Sequence, residues 1–170
     1  MAVRRVVTGH DSDGKAVFVS DSAVSSMLIG DQGSAVTALW GRDEPGRFPD
    51  DGSEPGFAQS FAPPGGSRAA LMELAPEGDD FHEFVRDGLA AWADPDDAGM
   101  HRTATHDYDV VLEGVVGLEL DNAVEVTLRP GDVVVLNGTR HRWHNRGDSI
   151  ARVFAVSVGA YNEIEGGRPV

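Results

Sequence analysis

Four of the six histidines fall between Met100 and Asn145, alongside acidic and aromatic residues at short spacings. A first block, residues 100–114, reads Met-His-Arg-Thr-Ala-Thr-His-Asp-Tyr-Asp-Val-Val-Leu-Glu-Gly. A second, residues 131–145, reads Gly-Asp-Val-Val-Val-Leu-Asn-Gly-Thr-Arg-His-Arg-Trp-His-Asn. Side chains alternate faces along a strand. An extended first block therefore puts His101, Thr103, Asp107, Asp109 and Val111 on one face, with His106 and Tyr108 on the other. In the second block His141, Trp143 and Asn145 share a face, while Arg140, Arg142 and His144 point away. A loop before Asp107 would break that parity and return His106 to the first set. Imidazoles and carboxylates bind metals and move protons. The chain has no cysteine, so disulfides and thiolate sites are excluded and any metal must sit on nitrogen and carboxylate oxygen.

These blocks resemble the paired motifs of the cupin superfamily, small antiparallel β-barrels that usually hold one divalent metal. The family's first motif has two histidines separated by one residue, then a Glu, six residues and a Gly. Counting back from Gly114 places Asp107 at the Glu position, Thr103 at the second His and His101 at the first. In the second motif Gly131, His141 and Asn145 match, with Gly138 in the turn between them; the Gly131–His141 spacing is one residue shorter than the commonest form. The resemblance implies that the odd-numbered set of each block lines the barrel interior. It also implies that His101, Asp107 and His141 hold one divalent ion (Fe, Mn, Zn or Ni). Thr103 in place of a His, and Asp107 in place of the longer Glu, depart from the usual three-His-one-Glu set.

Asp109 has two readings. Buried beside Asp107, it would serve as a second ligand or have its pKa raised by like-charge repulsion, and so be a candidate general acid or base. At the barrel mouth it would sit in water. Asn145 is expected to tie backbone together, Trp143 to pack in the core and wall the pocket, and His106 to lie at the rim. Thr103, Trp143 and Tyr108 are the expected substrate contacts. Arg68 could grip a carboxylate but is expected to be solvated.

The remaining chain must position these residues. At 170 residues it suits one domain with a sizeable core. Val3–Thr8 and Ala16–Ser20, split by Asp-Ser-Asp-Gly, read as strand, turn and strand. Ala35–Trp40 and Ala69–Leu74 are further strands. Residues 41–67, rich in Pro, Gly, Asp and Ser, form either an ordered arm or a mobile loop. Over residues 79–92, Phe81, Phe84 or Val85, Leu89 and Trp92 recur at helical spacing, which predicts a short amphipathic insertion. Residues 117–121 and 124–128 form a hairpin. Val133–Leu136 is an unbroken apolar run expected to be buried on both sides, Ile150–Val158 closes the barrel, and residues 160–170 are a tail. The fold class is all-β: a cupin barrel (double-stranded β-helix, or jelly roll) with a short helical insertion.

The formal charge of −14 disfavours nucleic acid and anionic membranes as partners. No run approaches 18 apolar residues, and Met1–Val7 has neither a long apolar core nor a cleavage pattern, so the expected location is cytoplasmic. By resemblance the expected activity is that of a metal-dependent lyase, a decarboxylase or dehydratase acting on a small oxygenated organic acid or polyketide-type aromatic. Asp109 would move the proton. An Fe(II) dioxygenase and a non-catalytic small-ligand binder are the alternatives. The resemblance also implies a homodimer.

Overall fold

A computed structural model describes residues 2–29, 32–56, 60–76, 93–94, 96–97 and 99–163. The expected helix over 79–92 and most of the 160–170 tail lie outside them. Among the described residues are eleven strands: β1 (Ala2–His10), β2 (Ala16–Ser25), β3 (Met27–Ile29), β4 (Ser34–Arg42), β5 (Ser67–Leu74), β6 (Thr105–Glu113), β7 (Val116–Leu120), β8 (Val124–Leu128), β9 (Val133–Asn137), β10 (Arg142–Asn145) and β11 (Ala151–Gly159). A six-stranded sheet in the order β3-β4-β5-β11-β6-β9 faces a three-stranded sheet, β10-β7-β8. Strands β1 and β2 form a separate hairpin. The pairings between these strands are antiparallel. This is the expected cupin β-barrel architecture.

Alternation of side chains explains how one strand serves both core and surface. In β6, Thr105, Asp107, Asp109 and Val111 are buried, whereas His106 and Tyr108 are exposed. The apolar half of the interior gathers Val111, Val116, Leu118, Leu136, Trp143 and Val153 between the two sheets. Strand β9 departs from expectation: Val134 and Leu136 point inward, but Val133 and Val135 are 63% and 54% exposed. The strand pairs with β6 at one edge of its sheet and has a single core-facing side. An apolar run alone cannot distinguish that arrangement from burial on both faces.

Two turns bring the blocks together. Gly114 has φ +83°, and a Cβ there would lie 2.7 Å from the Cβ of Ala151, so the chain leaving β6 grazes the start of β11. Gly138, at φ +64°, passes close to the Thr103 carbonyl, where a Cβ would stand 3.1 Å away. The described residues 43–56 and 60–66 are tied to the strands by hydrogen bonds. The amide of His10 donates to the Asp50 carbonyl at 2.8 Å, Arg5 pairs with Glu54 at 2.7 Å, and Gly65 donates to the Gly159 carbonyl at 3.1 Å. No described helix is long and apolar enough to cross a membrane.

Candidate metal and substrate site

The centre is built on a reciprocal backbone pair. The His101 amide donates to the His141 carbonyl at 3.0 Å, and the His141 amide returns the bond to the His101 carbonyl at 2.9 Å. Residues opposed in this way carry their side chains on the same face of an antiparallel pair, so the two rings converge, with centroids 4.3 Å apart. Their inner nitrogens are committed: Nδ1 of His101 lies 3.1 Å from the Gly99 carbonyl and Nδ1 of His141 lies 2.9 Å from the Thr139 carbonyl. A carbonyl can only accept, so each Nδ1 carries the proton and each Nε2 keeps its lone pair, the arrangement that prepares a histidine to bind a metal. Burial lowers the pKa of both rings. For His141 burial and the neighbouring His101 bring it to about 3, so both stay neutral at physiological pH.

The segment bearing His101 is clamped from outside the barrel. Arg140 pairs with Asp94 at 2.7 Å and with Asp97 at 3.2 Å, and Arg142 pairs with Asp97 at 2.9 Å. The arginines that flank His141 and point away from it thus hold the loop that places His101 opposite.

Opposite the histidines, β6 contributes Asp107 and Asp109, 9% and 3% exposed. The Oδ1 atom of each is buried without a hydrogen-bond partner. Burial raises Asp107 to about 6 despite a hydrogen bond from Thr105, and burial together with the Asp107 charge raises Asp109 to about 7. Of the two readings of Asp109, the buried one describes the structure. Both aspartates, both histidines, Thr103 and Trp143 line one cavity of about 280 Å³. Its remaining walls are largely apolar and include Met27, Val36, Trp40, Phe61, Met72 and Leu136.

Two expectations change. Tyr108 is half-exposed on the outer face of β6 and does not line the cavity, so it is not a substrate contact there. Arg68 borders the cavity but is buried, its guanidinium holding the Arg42 and Ser67 carbonyls at 2.7 and 2.8 Å and pairing with Asp43. It anchors Arg42 and Asp43 at the base of β5 instead of standing in solvent. Thr103 does border the cavity, but its hydroxyl lies 2.6 Å from that of Thr105. Asn145 behaves as expected, donating to the Leu74 and Ser149 carbonyls at 2.8 Å. Thr105 itself was absent from the sequence reading, although the parity that selected Thr103 and Asp107 also selects it.

The donors in the cavity fit a divalent ion in kind: two neutral imidazoles and carboxylate oxygens lacking partners. Among the described residues, however, the His/carboxylate group whose ligand atoms all lie within 4.8 Å of one another is Glu119, Glu125 and His144, on the outer face of the three-stranded sheet. The donors of His101, Asp107 and His141 are not gathered that closely. In the outer group each carboxylate already grips an arginine, Glu119 with Arg142 at 2.9 Å and Glu125 with Arg146.

Residues 93–157 match the family model described as Cupin domain. These residues carry a cupin domain. It is 30% identical over 148 residues to the cupin-domain-containing oxidoreductase fogC of Aspergillus ruber, a match covering 84% of this chain and 64% of that protein. To the Phomopsin biosynthesis cluster protein C′ of Diaporthe leptostromiformis it is 28% identical over 172 residues, covering 95% and 82%. The solved Schizosaccharomyces pombe Cnp3 cupin domain aligns with a TM-score of 0.49 at 13% identity, over 92% of this chain and 87% of that one.

Proposed function

We propose that this chain is a metal-dependent cupin enzyme acting on a small, mainly apolar, oxygenated molecule. One observation carries the reading: two neutral histidines and two buried aspartates with partnerless oxygens converge on a single cavity. His101, His141 and Asp107 would hold the ion, and a divalent ion bound there supplies Lewis-acid polarisation of a substrate oxygen. Asp109 faces the same space with a buried oxygen that has no partner, which suits it to general acid–base work on the bound molecule. Trp143, Phe61, Met72 and Leu136 exclude water and select a small apolar body; a volume of about 280 Å³ lies just below the usual range for small-molecule sites, roughly 300–1,000 Å³. Proton transfer by Asp109 favours a lyase, a dehydratase or decarboxylase. A second reading, an oxidoreductase using Fe(II) and oxygen, is favoured by the likeness to the Aspergillus oxidoreductase. A homodimer belongs to the same proposal, because Tyr108, Leu112, Val133 and Val135 leave apolar surface exposed on β6 and β9.

Elemental analysis of protein purified without added metal or chelator tests the centre. About one equivalent of a first-row metal per chain is the expected result. Oxygen consumption with iron bound would select the oxidoreductase, and its absence the lyase. No metal after soaking in Fe, Mn, Zn and Ni in turn would leave a small-ligand binder. Sedimentation of the same preparation should give twice the chain mass, and the single-chain mass would remove the dimer.

A further inference from the structure

We infer that Thr105, backed by Thr103, is a positioning residue that fixes which oxygen of Asp107 is presented to the metal. This deepens the proposed function and rests on it. The Thr105 hydroxyl donates to Oδ2 of Asp107 at 3.1 Å, and the Thr103 and Thr105 hydroxyl oxygens are 2.6 Å apart. A threonine hydroxyl has one proton to give. Since Thr105 gives its proton to the carboxylate, Thr103 must give its own to Thr105, and the chain runs one way, Thr103 to Thr105 to Asp107.

The consequence is an inequality between the two carboxylate oxygens. Oδ2 is held by a hydroxyl, while Oδ1 is buried and has no partner. A short aspartate has little reach, so its carboxylate plane must be set from behind if one oxygen is to meet an ion. Thr103 and Thr105 are 3% and 2% exposed, so bulk water is not available to take over that bond. Thr103 stands where the family pattern has a histidine. Its hydroxyl proton is turned toward Thr105, which makes it part of the support for Asp107 rather than a ligand in its own right. Partners of metal ligands orient those ligands, and their loss typically weakens metal binding about 10- to 100-fold.

The test is anaerobic titration of the metal-free full chain with Co(II), following both affinity and the visible absorption that reports coordination geometry. Thr105→Val, nearly isosteric but without the hydroxyl, should weaken Co(II) binding by about 10- to 100-fold and alter the spectrum. Thr105→Ser, which restores the donor, should return both to near the wild-type values. Thr103→Val, one step further back, should weaken binding by a smaller factor, and it decides the matter if Thr105→Val does not fold. Wild-type affinity and spectrum in the valine variants would overturn the positioning role and leave the metal reading standing. A serine variant as weak as valine would reduce Thr105 to a packing residue. Failure of the wild-type protein to bind Co(II) would instead overturn the metal reading, and this inference with it.

Discussion

The barrel interior and the outer face of the three-stranded sheet each bring histidine together with acids, and they treat those groups in opposite ways. Outside, Glu119 accepts from Arg142 at 2.9 Å and lies 2.6 Å from Nε2 of His144, and Glu125 pairs with Arg146. Burial pushes the Glu119 pKa up, but the bonds from His144 and Arg142 outweigh it and hold the pKa below its usual value. Inside, Asp107 and Asp109 meet no arginine; they face each other and two neutral imidazoles, and their pKa values rise. A paired carboxylate is already satisfied and serves the fold. A buried carboxylate oxygen without a partner costs stability unless something else satisfies it, which is why such groups mark sites of function. Distance favours the outer group as a metal site and unsatisfied chemistry favours the inner one.

The largest expected effect separates these two regions directly. His141→Ala should reduce bound metal from about one equivalent to none while the barrel stays folded, as judged by elemental analysis and circular dichroism. His144→Ala and Glu119→Gln should keep the metal and lower unfolding stability instead, by about 1–3 kcal/mol, because each leaves a charged hydrogen-bonding partner behind. The reverse pattern would move the metal centre to the outer face and remove the interior assignment.

Much of this contrast was legible in the sequence, and the reasons are local. Period-two alternation separated His101, Asp107 and Asp109 from His106 and Tyr108, and the structure keeps that division. The hairpin Val116–Leu128 and the strands around Ala35, Ala69 and Ile150 announced themselves through β-branched runs and turn residues. What failed to show depended on contacts distant in sequence. That Arg140 and Arg142 clamp residues 94 and 97 cannot be read from either segment alone, nor can the burial of Arg68 against Arg42 and Asp43. Val133–Leu136 misled because a uniform apolar run does not reveal that one face lies open. Thr105 was missed because a threonine between two candidate ligands carries no chemical signal until its hydroxyl is seen 3.1 Å from Asp107.

A smaller effect concerns pH, and the two residue types pull in opposite directions. In metal-free protein Asp107 and Asp109 ionise near 6 and 7, against roughly 3.9 in an unfolded chain. Their contribution to stability is complete below the unfolded value and is lost as pH rises through 6 and 7. His101 and His141 are lowered, His141 to about 3, against roughly 6.5 unfolded, so their contribution grows as pH rises toward 6.5. These slopes oppose each other between about pH 4 and 6.5, and above that the falling Asp109 contribution is left alone. Asp109→Asn removes one falling contribution. Measured by thermal unfolding in chelator, its Tm should therefore climb relative to wild type from pH 5 to 7.5. Parallel curves for the two proteins would show that Asp109 is not held protonated by the fold.

The smallest effect tests the division of faces itself. His106 is exposed, its Nδ1 lies 3.1 Å from the Asn137 side-chain oxygen, and it borders a surface cleft instead of the barrel cavity. His106→Ala removes the hydrogen bond to Asn137. Metal content should stay at the wild-type value and stability should change by no more than about 0.5 kcal/mol. A variant that lost its metal would place His106 among the ligands. That requires β6 to slip by one residue, which would turn Asp107 and Asp109 outward together. The ladder makes such a slip costly: β6 is held in register on both sides, Asp107 opposite Ser157 of β11 and Leu136 of β9.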